Sequence, residues 1–361
     1  MKTNPIPLPH LSTMSYLWRE YERTPRALAF RAQTQDEWRA WRDALRAKLI
    51  ECLGGFPTER CDLAPRVVQV VEEREYRREK VYFYSEPEVA VPCYILIPRK
   101  VTPPYRAVIA LHGHGSDGAY LLLGLPRREK DRAVMRADRL DYARQLARRG
   151  FIVFVPVQRA LGERVEKSGA YRERSGRRAK SCTLATLTSF MLGRTMVGLR
   201  VWDVMRTIDY IRTRPEPIAE QIGCIGWSGG GTTALYASAL DERISATVLE
   251  GAFCTYRASS LVLNHCADNY IPGILRYAEL PDIAALIAPR PVLIESGTKD
   301  SIFPIQGVKQ AYAELARVYA VLSCPDHLDA DYFPGRHRFG GRKAFAWFER
   351  WCQRIAHEST I

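Results

Sequence analysis

Apolar and polar positions follow two different rhythms along this chain. From Ser12 to Gly54 the spacing is helical: Trp38, Trp41, Leu45 and Leu49 recur at intervals of three and four, and Gly54-Gly55 followed by Pro57 closes the run. Residues 1–60 are therefore expected to form an N-terminal helical extension that packs on the rest of the chain. Val67 to Val71, Val81 to Tyr84 and Ala90 to Ile97 are β-rich runs separated by charged turns, the pattern of leading antiparallel strands.

Beyond Pro104 strand and helix alternate. Ala107 to Leu111 reads as a strand, Arg139 to Arg149 as a helix stopped by Gly150, and Phe151 to Val157 as a strand; Met196 to Arg214 is helical. Further strands are expected at Gln221 to Gly226, Ile244 to Glu250, Pro291 to Glu295 and Asp329 to Phe333, and Phe345 to Ile355 is a closing amphipathic helix. Repeated β-then-α order predicts an α/β fold over residues 61–361, a mostly parallel central sheet with helices on both faces. Residues 116–138 and 162–192 break the rhythm as long connections where strand C-termini gather, the edge at which open α/β sheets bind ligands, so they are candidate pocket walls.

One turn on that edge carries chemistry. The strand ending at Gly226 runs into Gly226-Trp227-Ser228-Gly229-Gly230, and helix-compatible residues follow from Thr232 to Ala239. This is the form of a nucleophile elbow, in which a strained strand-to-helix turn exposes a serine hydroxyl and glycines let neighbouring backbone pass. With 24 glycines in 361 residues, such a pattern arises by chance in roughly one chain in ten, so its weight depends on what surrounds it.

Acyl transfer also needs a base, an acid to orient it, and donors for the oxyanion. His337, in Phe333-Pro334-Gly335-Arg336-His337-Arg338-Phe339-Gly340-Gly341 after the last strand, is the first choice for the base. His265 is a rival that can instead line the pocket, and His327 reads as a surface residue. Asp300, in the turn after Pro291 to Glu295, is the first choice for the acid; Glu250 is the alternative, with Glu295 and Asp268 behind it. The oxyanion hole is expected from the amides of Gly229 and of His114, the latter in Leu111-His112-Gly113-His114-Gly115. His112 and Trp227 complete the candidate pocket. The competing reading of His112 and His114 is a catalytic metal centre with His265, Asp300 and His337 as further ligands, but it leaves the serine elbow without a purpose.

Composition changes little in this picture. The content is 47% hydrophobic and 26% charged, that of an ordinary globular protein. The net charge of +13 is concentrated in arginines of Arg127 to Arg149 and Arg172 to Lys180. Without an aromatic-interleaved basic motif these read as solvated faces rather than a nucleic-acid surface. The nine cysteines are scattered without a Cys-x-x-Cys pair, which points to reduced thiols and a cytoplasmic location. Met1 to His10 lacks an apolar signal region and no run of 18 apolar residues occurs, so neither signal peptide nor membrane partner is expected. Self-association as a homo-oligomer is left open.

With these residues in place the chain resembles the α/β-hydrolase superfamily, and within it the dienelactone hydrolase-like and acetyl xylan esterase-like group, over most of Val67 to Ile355. The triad is joined in this resemblance by Leu192-Gly193 through Gly198-Leu199-Arg200-Val201-Trp202-Asp203, by Asn269-Tyr270-Ile271-Pro272-Gly273, by Ile287-Ala288-Pro289-Arg290-Pro291 and by the Gly335-Arg336-His337-Arg338-Phe339 loop. The resemblance implies a serine esterase acting on a small-molecule carboxylic ester, a short-chain acyl ester or an acetylated carbohydrate, through an acyl-enzyme on Ser228 and with no metal or organic cofactor. Many relatives carry an Asp-x-Arg-Gly-type turn where this chain has Gln158-Arg159-Ala160-Leu161-Gly162-Glu163-Arg164, so the pocket is expected to differ there. Two other classes stand against this reading: the metal-dependent hydrolase on His112 and His114, and a non-catalytic interaction protein that uses its arginine-rich faces.

Overall fold

The computed structural model describes residues 11–115, 117–166 and 181–352. Nine strands form one sheet: β1 Arg66–Glu72, β2 Tyr76–Glu86, β3 Val89–Pro98, β4 Tyr105–Leu111, β5 Ile152–Pro156, β6 Pro217–Trp227, β7 Ile244–Glu250, β8 Val292–Gly297 and β9 Leu328–Phe333. Their order across the sheet is β1-β2-β3-β5-β4-β6-β7-β8-β9. The first three are antiparallel to their neighbours and all pairings among β4 to β9 are parallel.

Alternation along the central strands sorts side chains between two cores. On β4, Ala107, Ile109 and Leu111 enter one cluster and Val108 and Ala110 the other; on β8, Val292 and Ile294 lie opposite Leu293. A strand covered on both faces has no polar side to show, which is why β4, β5, β7 and β8 read as nearly unbroken apolar runs.

The N-terminal pattern resolves into two helices, Thr13–Arg23 and Gln35–Cys52, rather than one run over Ser12 to Gly54. Thr24 precedes Pro25, whose ring disfavours helical backbone at the preceding residue, and Thr24 is extended. Thr34 then caps the second helix by accepting the Glu37 N–H at 3.2 Å. Trp38, Leu45 and Leu49 of that helix share a core with Val197, Leu240 and Ile287.

The expected helix over Arg139 to Arg149 begins only at Tyr142, because Arg139 is the left-handed cap of the preceding helix Glu129–Asp138. That helix and the short Ala119–Leu122 occupy the 116–138 insertion. The 162–192 insertion holds a turn at Gly162–Arg164 and the helix Ser181–Met191; the arginine-rich Arg172 to Lys180 lies outside the described residues. The closing helix is Ala344–Trp351. Among the described residues no helix is long and apolar enough to cross a membrane.

Strand order positions the site. The chain passes from β4 to β5 on one side and returns to β6 on the other, so a crevice opens above β4. Register levels the strand ends around it: Leu111 pairs with Gly226, Trp227 with Glu250, Glu250 with Glu295, and Gly297 with Phe333. At the β6 end the chain turns into the helix Gly229–Leu240 through Ser228, whose φ of 55° and ψ of −125° are strained for an L-residue. A Cβ on Gly230 would overlap the Leu111 and His112 carbonyls, and one on Gly226 would overlap the Gly230 carbonyl.

Since backbone rather than a yielding side chain fills both spaces, Gly230→Ala is expected to cost at least about 1–3 kcal/mol, in the manner of an overpacked core. Calorimetric melting of the variant beside the native protein checks this; an unchanged Tm contradicts it.

Candidate active site

The turn after β6, the turn after β8 and the loop after β9 bring Ser228, Asp300 and His337 together. The Ser228 hydroxyl lies 3.0 Å from His337 Nε2, and His337 Nδ1 lies 2.7 Å from Asp300 Oδ2. Asp300 Oδ1 accepts the amides of Ile302 at 2.8 Å and Phe303 at 3.0 Å, so the carboxylate is fixed before it meets the ring. The side chain of Asp300 is 1% exposed and that of His337 14%, so the carboxylate is closed off and the ring keeps a small exposed edge. The imidazole sits between Trp227 and Phe303, with ring centroids at 5.0 and 5.7 Å. Backbone bonds from Thr298 to Phe333 and from Lys299 to Gly335 tie the histidine loop to the Asp300 turn.

Glu250 does not reach the histidine ring. Its carboxyl accepts the amides of Gly340 at 3.0 Å and Gly341 at 3.1 Å, and Glu295 accepts those of Gly341 at 2.9 Å and Lys343 at 2.7 Å. The two acids, opposite each other in the β7–β8 register and both fully buried, together hold the chain that follows His337. Burial, and then the charge of and hydrogen bond to Glu295, push the Glu250 pKa well above the carboxylate range. A carboxyl whose ionised form is disfavoured is poorly suited to steady an imidazolium.

On the other side of the serine, His112 is buried with both ring nitrogens engaged: Nδ1 donates to Gly113 O at 2.9 Å and Nε2 accepts the Gln158 amide at 3.1 Å. Burial, with opposition from the Gly113 bond, pushes its pKa down to about 4, so it stays neutral. The structure therefore does not offer His112 as a metal ligand beside His114. Gln158 also donates from its side chain to the His112 carbonyl and accepts from Thr233 Oγ1 at 2.6 Å. It thereby joins the His112 to Gly115 loop, the turn after β5 and the helix behind Ser228.

His114 turns away from His112. Its Nε2 is 2.8 Å from Asp268 Oδ2, and that carboxylate also binds Arg200 in a pair whose side chains are 2% and 1% exposed. Asp268 is thus a partner of His114, not of His337. His265 is held by Ser259 at 2.9 Å and Asn269 at 3.0 Å and meets Phe303 edge-on, lining a small cavity with Thr232 and Ala252. His327 donates to Pro289 O at 2.6 Å, away from the other site residues.

Gln158, Arg200 and Glu295 are the supporting residues whose roles the linear pattern did not reveal. Two of them stood inside stretches already marked: Gln158 in the turn that departs from the relatives, and Arg200 in the Gly198 to Asp203 motif. In that motif Asp203 binds Arg159 at 2.8 Å and Arg164 at 2.6 Å, which pins the Gln158 turn from behind.

The fold and this constellation define an α/β-hydrolase. The sequence profile of the Abhydrolase family matches residues 8–337, and the chain belongs to that family. It is 27% identical over 284 residues to a Bacillus subtilis (strain 168) protein named "Putative hydrolase YtaP", covering 76% of this chain and 87% of that one. Among solved structures, a Bacteroides fragilis NCTC 9343 protein described as a "putative acetyl xylan esterase (BF1801)" superposes with a TM-score of 0.74 at 22% identity, over 90% of this chain and 82% of the other. A glucuronoyl esterase from Solibacter usitatus gives 0.67 at 15% identity, over 91% and 98%. At these identities the structural likeness is one of fold.

The raised pKa of Glu250 carries a pH dependence. Because its folded pKa is raised, its contribution to stability is complete below the unfolded value of about 4.3 and is lost as pH rises towards the folded one. Glu250→Gln, which cannot ionise, should lose less stability than the native protein between pH 6 and 9 in urea titrations. Glu250→Ala, which leaves amides and Glu295 without a partner, should cost about 3 kcal/mol or more at acid pH, and less as pH rises.

Proposed function

We propose that the protein hydrolyses carboxylic esters through an acyl-enzyme on Ser228. The unbroken hydrogen-bond chain from Ser228 through His337 to Asp300 carries this reading. His337 Nε2 takes the hydroxyl proton as Oγ attacks the ester carbonyl, and Asp300 holds the resulting imidazolium by its Nδ1–H. The tetrahedral oxyanion forms against the amides of Gly229 and His114. Gly229 opens its helix, so its N–H has no i−4 carbonyl within that helix. The imidazolium then protonates the leaving alcohol, and water repeats the sequence to free the acid.

The chemistry needs no metal or organic cofactor, and the described geometry disfavours the metal alternative because neither nitrogen of His112 is available. Short-chain acyl esters, including acetylated carbohydrate, are the proposed substrates, in line with the acetyl xylan and glucuronoyl esterases whose fold this chain shares. Residues 61–361 are proposed as the catalytic domain, residues 1–60 as a helical cover on it, and the scattered unpaired cysteines favour the cytoplasm.

A fluorophosphonate probe should label Ser228, located by peptide mass, and Ser228→Ala should abolish both the adduct and esterase activity. An adduct on another residue, or none, would remove the central claim and favour a non-catalytic scaffold. Asp300→Asn should lower kcat by on the order of 10⁴-fold, whereas Glu250→Gln should retain most activity. A panel of p-nitrophenyl esters should show kcat/KM falling as the acyl chain lengthens beyond butyrate.

A further inference from the structure

We infer that the His114 side chain is a third, charged donor to the oxyanion, beyond the two backbone amides, a role that rests on the acyl-transfer reading of Ser228. The ring packs against the first residue of the proposed hole. A Cβ built on Gly229, whose amide is the first proposed donor, would come within 2.6 Å of both Nδ1 and Cε1 of His114. Gly229 does not have a positive φ, so its backbone does not demand glycine. The absence of a side chain is instead what gives the imidazole its place beside the hole.

The far side of the ring is fixed. A carboxylate only accepts, so Nε2 donates its hydrogen to Asp268, and Asp268 is itself clamped by Arg200. No described residue hydrogen-bonds to Nδ1. Burial opposes a charge on the ring, but the Asp268 hydrogen bond, with lesser help from Cys182 and Cys266, pushes the pKa up to about 11. Held by Asp268 in its charged form, the ring presents a second hydrogen on Nδ1, the edge that packs against Gly229.

The charge count around the ring gives the donor its strength. Asp268 is one carboxylate between two cations, His114 and Arg200. Among the described residues, the other groups close to the ring are Cys182, whose Sγ is 4.0 Å from Nε2, Cys266, neutral His112 and His265, whose pKa burial lowers. None of these supplies a second formal negative charge, so a net positive charge remains until an oxyanion forms. Hydrogen bonds from an ionised donor are roughly twice as strong as neutral ones, and the benefit is largest where charge develops in the transition state.

Three variants test this on p-nitrophenyl acetate. Ser228→Ala must be inactive; if it is not, the acyl-enzyme reading itself fails. Given that result, His114→Ala, which keeps the backbone amide, should lower kcat about 10²- to 10³-fold with KM changed only a few-fold. It should also weaken inhibition by phenylboronic acid, whose tetrahedral adduct mimics the oxyanion. Asp268→Asn removes the counter-charge and lowers the His114 pKa. Its kcat should then fall as pH rises between 7 and 10, a range in which the native enzyme should show no such limb. Should His114→Ala not fold, the Asp268→Asn pH profile decides. A folded His114→Ala within about threefold of native kcat, or an Asp268→Asn profile parallel to the native one, overturns the inference.

Discussion

The first turn of the helix Gly229–Leu240 crosses the end of β4 with no room for a side chain at Gly230, and the rest of the site is arranged around that crossing. It forces Ser228 into a strained backbone and sets the Gly229 amide beside the His112 to Gly115 loop. The Ser228 amide is tied in turn to Glu250 O at 2.9 Å. Strain of this kind persists only where the surroundings over-determine it. Here they do so through two buried parallel strands, β4 and β7, that flank β6 in fixed register.

Buried polar groups then position each loop that reaches the serine. Glu250 and Glu295 hold the chain after His337, Asp268 with Arg200 holds His114, and Asp203 with Arg159 and Arg164 holds the Gln158 turn. Burying such groups is costly unless they are paired and hydrogen-bonded, and each set is paired in this way, although Oδ1 of Asp268 has no hydrogen-bond partner among the described residues. Loop backbone cannot be fixed by apolar contact alone, because its amides and carbonyls need partners. The acids and arginines provide these, and they also set the charge state of the groups around the reaction centre.

The element pattern was largely legible in the residues. The strand predicted at Ile244 to Glu250 is observed with those bounds, and the leading strands, the parallel core and the helix from Met196 emerge within a few residues of expectation. The misses were local conflicts. Thr24-Pro25 broke a helical run that apolar spacing alone had carried through, and a left-handed Arg139 delayed the next helix by three residues. Ser228, Asp300 and His337 could be singled out because each sits in a short turn bearing its own signal of glycines and strand end. Glu250 and Asp268 were seen as acids, but their partners could not be read from the chain: Gly340 is 90 residues from Glu250, and His114 is 154 from Asp268.

Periodicity and turn chemistry act over a few residues, and they were enough to define an α/β sheet, a serine elbow and the order of residues able to serve it. Which carboxyl faces which histidine depends on strand order and register, which arise when distant segments pack. Three acids, Glu250, Asp268 and Asp300, lie at strand ends or loops above one sheet edge; turn position ranks Asp300 first among them, but the chain alone does not say which carboxyl meets the histidine. Packing does: the β7–β8 pairing places Glu250 against Glu295, the approach of the helix Met196–Thr213 brings Arg200 to Asp268, and only Asp300 is left facing His337.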